Sequence, residues 1–489
     1  MKLPEEFGFT DQSVDAVWPI VAESAANTLF TTFDPARPDT QIARYNIANP
    51  AQIDSALKRS VESFKQWSSL TCAARVTALS AWLDRIEKHT ESIAICMTAE
   101  QGKPLAESRG EIGKCLRESR QMLGFAGSHG GTTLPGRTAG FRNIVMRRPL
   151  GVALAIAPWN FPVLTPMRKL VPALVSGNSV VLKPSEFSPA AAIALAHLSN
   201  GILPEGVLSV VQGNGEVAAS LNADERIKAV SFTGSVETGR VVAAKAASGL
   251  KRVSLELGGK NGAILDAVEN LDAALDGIVA AAFQCSGQRC TSISRIIVNR
   301  SVLQPVTIGL RQRLDSLVAG HGSEATTTLG PITTASQLEK IEALVNTAIA
   351  SDAVCLQGGK RLVVDTCPSG QFFEPTLLQV EDATNVAAQD EIFGPVLTIQ
   401  PYDTDDEAMA LLNSTRFGLT SSVFTDRVRF AARALAETQS GMIHINHGTV
   451  PDDNMPFVGI GDSGLGIGSV GPSTLDFYTS EHSAYLADN

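Results

Sequence analysis

The sequence predicts an α/β protein built on parallel sheets, and three observations carry that prediction. Short apolar runs of four to six residues recur after Arg148 in "GVALAIAPW", "SVVLKP", "LSVVQG" and "AVSFTG", each ending in a turn or helix start. Helical stretches such as "PAAAIALAHLSNG" lie between them. Continuous rather than alternating hydrophobicity marks strands buried on both faces, which need helical crossovers. A second series, "GAILD", "SRIIVNR", "GPVLTIQPY" and "SSVFT", with "TASQLEKIEALVNTAIAS" among its helices, predicts a second α/β domain.

Upstream, "AQIDSALKRSVESFKQW" places Ile53, Leu57, Val61 and Phe64 at helical spacing, and "AARVTALSAWLDRIEKH" and "IGKCLRESRQMLGFAG" repeat the pattern. The tail "TLDFYTSEHSAYL" alternates like an edge strand, which could pair with another subunit or fold back on its own chain.

Bulk properties narrow the function. The chain has 489 residues, enough for two or three domains. Hydrophobic residues make up 44% and charged residues 18%, a globular composition. The net charge of -10 and the lack of a Lys/Arg-rich run argue against a nucleic-acid partner. No apolar stretch approaches membrane-spanning length, and "MKLPEEFGFTDQ" lacks signal-peptide character, so a cytoplasmic protein is expected. Seven scattered cysteines without a CxxC pair, and seven histidines that do not cluster with them, predict neither disulfides nor a metal site.

Five segments stand at strand ends or turns. In "SFTGSVETG", Gly234 and Gly239 bracket a strand-to-helix turn that would let a ligand approach the backbone, or serve as an ordinary tight turn. In "LKPSE", Lys183 and Glu186 would suit ribose hydroxyls, or would be a solvated lysine and a capping acid. Glu256 in "SLELGGKN" ends an apolar run, where partial desolvation would raise its pKa and fit it as a general base; it could equally face water at an edge. Asn160 in "APWNFP" sits in a loop stiffened by Pro158 and Pro162, suited to donate to an oxyanion or to satisfy its own backbone. "FQCSGQRCTS" holds Cys285 and Cys290, with Arg289 directly before the latter.

Together and in this order, the five segments resemble the NAD(P)-dependent aldehyde dehydrogenase superfamily. The resemblance extends to "DEIFGPVL", "NSTRFGLTSSVFT" and "MPFVGIGDSGLG" and covers nearly the whole chain. It implies a Rossmann-like cofactor domain (1–128 and 151–256), a catalytic α/β domain (257–445), and a small bridging sheet for oligomerisation (129–150 and 466–489) that builds homodimers or homotetramers. It implies Cys290, in the "GQxC" stretch, as nucleophile, Asn160 with the Cys290 N–H as oxyanion donors, Glu256 as the base for the deacylating water, and Lys169 as a further catalytic residue. Lys183 and Glu391 are implied as ribose ligands, Ser235 as a pyrophosphate contact, and Trp159 as a lining residue near the nicotinamide. Ser185, Gly215, Phe232, Thr233, Gly234, Gly239, Leu257 and Phe393 are implied in the same cofactor cleft. Glu186 matches the acid that binds the adenosine ribose, which favours NAD over NADP. Departures fall near the C-terminal anchor: Val458 replaces a glycine of "PFGG", Asp462 precedes Ser463-Gly464 where a lysine is usual nearby, and the common opening strand signature is lacking.

On this reading a thiolate adds to the aldehyde, hydride leaves, and water releases the acid from a thioester. Free cysteine is only a few per cent thiolate at neutral pH, so a cation or helix N-terminus beside Cys290 is expected. Glu256 favours hydrolysis over transfer to coenzyme A. Three arginines, Arg117, Arg168 and Arg289, fall where the family's substrate tunnel runs, with Phe161, Thr291 and Phe457 as further lining. Arg289 alone could be a surface salt bridge. Three cations in an apolar tunnel would be costly without an anion, and a guanidinium fork binds carboxylate, sulfonate or phosphonate. Arg168 in this setting resembles succinate-semialdehyde dehydrogenases. The expected substrate is therefore an acidic semialdehyde such as succinate semialdehyde. A sulfonated or phosphonated short aldehyde, or broad aliphatic and aromatic specificity, are the alternatives. A catalytically silent relative and a thiol esterase are the rivals from other classes.

Overall fold

The computed structural model describes residues 1–9, 17–18 and 28–487. The remaining parts of the expected 1–128 and 466–489 segments lie outside the described residues.

The first apolar series forms one seven-stranded sheet, in the order Val17–Trp18, Leu208–Val211, Ser179–Lys183, Val152–Ile156, Ile227–Thr233, Arg252–Glu256 and Gly464–Leu465. The five inner strands are parallel and the two short edge strands antiparallel. Val152–Ile156 pairs with the strand that follows it on one side and with Ile227–Thr233 on the other. The strand order therefore reverses at Val152–Ile156, where doubly wound sheets bind ligands at the strands' carboxyl ends. Every side chain of Val152–Ile156 and Ser179–Lys183 is buried, as the unbroken apolar runs predicted.

The three predicted amphipathic helices form at Pro50–Ser69, Cys72–Lys88 and Leu105–Ala126. The first is closed at its start by a capping box between Asn49 and Gln52. The last packs along Leu164–Val175, the helix that follows Asn160.

The second series forms another seven-stranded sheet, in the order Val354–Gln357, Thr376–Gln379, Val396–Tyr402, Ile293–Asn299, Asn261–Leu265, Thr420–Phe424 and Met442–Ile445. All its pairs are parallel except the one at Val354–Gln357. Only residues 257–260 separate the last inner strand of the first sheet from Asn261–Leu265. That short link fixes the carboxyl ends of one sheet close to the other.

A third sheet joins Gly131–Pro135, Phe141–Pro149 and Thr479–Ala487. The alternating tail thus folds back: Thr479–Ala487 pairs antiparallel with Phe141–Pro149 of its own chain. Leu134, Phe141 and Tyr485 are exposed on it. Among the described residues all seven cysteines are free, no cluster could hold a metal ion, and no helix is long and apolar enough to cross a membrane.

Candidate active site

Four of the five segments leave the carboxyl ends of neighbouring parallel strands. "APWNFP" follows Ile156, "LKPSE" carries Lys183, "SFTGS" follows Ile227–Thr233, and Glu256 closes Arg252–Glu256. The fifth enters Ile293–Asn299 of the second sheet. A cavity of about 340 Å³ lies where they meet, with Cys290, Asn160, Glu256, Trp159 and Glu391 in its wall.

The segment bearing Cys290 is held by an unusual backbone. Cys285, Ser286 and Gly287 all adopt positive φ, at 55°, 54° and 71°. Gly287 is required: a Cβ there would stand 2.0 Å from the Gly394 carbonyl oxygen. Gln288 pins the turn, donating to the carbonyls of Cys285 and Pro331 and accepting from the Thr333 N–H. The Cys290 carbonyl accepts from Asn261 Nδ2 at 2.7 Å. Its thiol is partly buried against Leu419, Met442, Phe457 and Val470.

The electrostatics at Cys290 differ from expectation. Burial pushes the thiol up to about 12, and the Glu256 and Glu391 carboxylates push it the same way, while Arg289 and Arg168 oppose them. The expected cations are present but outweighed. No helix begins at Cys290 either; the residue lies between the C-terminal end of Leu271–Phe283 and a strand.

Asn160 does not satisfy its own loop. Its Nδ2 donates to the Gln288 carbonyl at 2.9 Å, across to the segment bearing Cys290, leaving a second N–H of the same amide. Glu256 is buried rather than at a wet edge. One of its carboxylate oxygens accepts from Thr233 Oγ1 (3.0 Å) and the other from the Ser469 N–H (3.1 Å). Lys169, fully buried, donates to Ser231 Oγ (3.0 Å) and Thr233 Oγ1 (2.8 Å). Lys169, Thr233 and Glu256 are thus one hydrogen-bonded chain. Burial lowers Lys169 to about 8, against the pull of Glu256.

The other end of the cavity is lined by backbone and small residues. Thr233, Gly234, Ser235, Leu257 and Gly258 border it, with Phe393 set edge-on to Trp159 at 5.6 Å. A Cβ on Gly234 would meet the Phe232 ring at 2.5 Å, one on Gly239 would meet Leu257 at 2.5 Å, and one on Gly258 would meet the Glu391 carboxylate at 2.2 Å. Glu391 accepts from the Gly259 N–H at 3.0 Å, and burial raises its carboxyl to about 7. Beside this wall Lys183 pairs with Glu186 at 3.1 Å, burial lowering the lysine's pKa. Ser185 accepts from the Phe187 N–H, and Gly215 opens the next helix at the surface. Bare backbone at strand ends, a helix capped by Ser235 and a Lys–Glu pair nearby fit a dinucleotide.

The three arginines part company. Arg117 is exposed, pairs with Asp453 at 2.7 Å and does not line the cavity, which corrects its expected role. Arg168 lines the cavity and sits over the Phe457 ring at 4.6 Å, but Glu118 holds it in a two-point ion pair at 2.7 Å per bond. Its charge is already met. Arg289 is 7% exposed, so it is no surface salt bridge. It donates to Gln284 Oε1 and, at 3.1 Å, to Thr291 Oγ1; its Nε has no partner, and no carboxylate pairs with it among the described residues.

Sequence reasoning missed the remaining charges of this end: Lys103, Glu107, Glu111 and Lys114 all line the cavity, and Glu118 stands behind it. Lys103 pairs with Glu111 at 2.7 Å and lies over the Phe161 ring at 4.2 Å. Glu107 accepts from the Cys285 N–H, and burial raises its carboxyl to about 7. The spacing of 103, 107, 111, 114 and 118 is a helical stripe of charge, the one signal that could have revealed them.

Known proteins share this fold. The sequence profile of the aldehyde dehydrogenase family matches residues 20–483. A betaine aldehyde dehydrogenase from Staphylococcus aureus, solved with NAD+, superposes with a TM-score of 0.92 at 29% identity over 96% of each chain. An aldehyde dehydrogenase from Brucella melitensis biovar abortus 2308 gives 0.90 at 33% identity over 94% of each chain. A putative aldehyde dehydrogenase from Burkholderia cenocepacia gives 0.91 at 32% identity over 94% of each. With the family profile spanning most of the chain and the thiol, amide and carboxylate gathered in one cavity, this chain belongs to the aldehyde dehydrogenase family and is an NAD(P)-dependent aldehyde dehydrogenase.

Proposed function

We propose that the enzyme oxidises a short aldehyde bearing an anionic group, a semialdehyde such as succinate semialdehyde, to the carboxylic acid, with NAD as cofactor. One observation carries the substrate class. Arg289, beside the nucleophile, is a buried guanidinium whose hydrogen bonds go to neutral oxygens, with the Glu107 carboxylate acting on its charge from beyond ion-pair distance. A buried charge without a direct ion pair is costly, and a substrate carboxylate, sulfonate or phosphonate would supply one.

Lys183, Glu186 and Glu391 would hold the ribose groups and Ser235 the pyrophosphate; the carboxylate of Glu186 disfavours a 2'-phosphate, hence NAD over NADP. Bound NAD supplies the hydride acceptor. The Cys290 thiolate adds to the aldehyde carbon, and Asn160 Nδ2 with the Cys290 N–H bears the resulting oxyanion. Once hydride has left, the carbon remains on Cys290 as a thioester. Glu256 then takes a proton from water, whose oxygen displaces the thiolate and frees the acid. Lys169, through Thr233, holds Glu256 in place and offers the proton a route onward.

A quaternary ammonium aldehyde, the kind of substrate named for the Staphylococcus aureus neighbour, is the second reading. It is disfavoured here because two of the aromatic rings lining the cavity already carry a cation: Arg168 over Phe457 and Lys103 over Phe161.

The test compares kcat/KM for succinate semialdehyde and butanal. Hydrogen bonds to charged groups contribute about 1.5–3 kcal/mol, so the acidic aldehyde should be preferred about ten- to a hundredfold, and R289M should remove that preference. Equal values in the wild type, or betaine aldehyde as the best substrate, would overturn the assignment. We also propose that the sheet of Gly131–Pro135, Phe141–Pro149 and Thr479–Ala487 builds a homodimer or homotetramer. Truncation before Thr479 should then yield monomers in light scattering.

A further inference from the structure

We propose that the buried Lys103–Glu111 ion pair is a positioning device for the oxyanion donor Asn160. The proposal rests on the reading of Asn160 given above. Both side chains are 1% exposed, and the pair closes at 2.7 Å. Lys103 Nζ also donates to the Asn160 backbone carbonyl at 2.6 Å. The same ammonium lies over the ring of the next residue, Phe161. Glu111 uses its other oxygen on the N–H groups of Val163 (3.0 Å) and Leu164 (2.9 Å).

Residues 160–164 are therefore gripped at four points by two side chains from one stretch of chain. The grip spans the donor loop and the first turn of Leu164–Val175, the helix bearing Arg168 and Lys169. Lys103 is itself fixed, its N–H donating to Gln101 Oε1, while Gln101 Nε2 donates to Thr333 Oγ1. With its backbone carbonyl held by Lys103 and its side-chain amide by the Gln288 carbonyl, Asn160 is fixed at both main chain and side chain. The second amide N–H is thereby aimed without cost at the moment of reaction, which is what an oxyanion donor requires.

Neither Lys103 nor Glu111 is given a proton-transfer or nucleophilic step. Their role is geometric, and a misplacement of about 1 Å can cost on the order of 10²-fold in rate. The experiment is a double-mutant cycle on the full-length enzyme, with K103M, N160A and K103M/N160A. K103M should lower kcat by about 10²-fold while KM for aldehyde and Kd for NAD change little. The double variant should be no slower than N160A alone, within about twofold, because both changes remove the same donor. K103R should recover part of the loss.

Two results separate this proposal from the reading beneath it. An N160A enzyme with wild-type kcat removes the oxyanion role of Asn160 and the positioning role with it. An impaired N160A beside a wild-type-like K103M, or losses that multiply in the double variant, overturns the positioning role alone. If K103M does not fold because Glu111 is left as a lone buried charge, K103M/E111Q enters the cycle in its place. Glutamine keeps an acceptor for Val163 and Leu164 while the pair's charges are removed together.

Discussion

The two ends of the cavity are built in different materials. The end assigned to the cofactor is backbone and glycine at the tips of parallel strands, where Gly234 and Gly258 leave no space for a Cβ. The end assigned to the aldehyde is charged side chains on one helix and its approach: Lys103, Glu107, Glu111 and Lys114, with Glu118 pairing Arg168. A shared cofactor can be met by main chain, whose shape depends little on side-chain identity. A particular aldehyde needs side chains, and buried charges must be balanced one against another. Arg289 is where that balance is left open.

Cys290 stands at the junction, so its removal should break both ends at once in function but not in binding. C290A should form no detectable NADH from any aldehyde, while titration of protein fluorescence with NAD still saturates. Turnover in C290A would remove the thiol from the reaction. Next in size, E118L should lower stability by about 3–5 kcal/mol, because it leaves Arg168 buried and unpaired. A urea midpoint unchanged from wild type would mean that the aldehyde end does not depend on charge pairing.

The smallest effect concerns pH. Burial holds the Cys290 thiol far above its ordinary value, so its thiolate fraction is small and rises as protons are removed. Alkylation of the Cys290 peptide, followed by mass spectrometry, should accelerate about tenfold per pH unit through pH 9 without a plateau. A plateau near pH 7 would show that Arg289 and Arg168 outweigh burial after all.

The difference between the two ends also explains what could be read in advance. Strand ends announce themselves through apolar runs followed by glycine or proline, so "SFTGS", "SLELGG" and "APWNFP" are legible as the rim of the parallel sheet. The first helix is equally legible from the spacing of Ile53, Leu57, Val61 and Phe64. Charge pairing is not. Arg117 and Arg168 look alike along the chain, yet one meets Asp453 in solvent and the other Glu118 in the interior, partners that sequence distance does not reveal. The positive φ of Cys285 and Ser286 was hidden for a related reason: neither residue type calls for that conformation, and it is imposed by the loop around them.

That loop has a mechanical consequence. Gly287 rests so closely on the carbonyl of Gly394 that no side chain fits between the turn before Cys290 and the stretch bearing Glu391 and Phe393. The smallest added methyl group would pry the two apart.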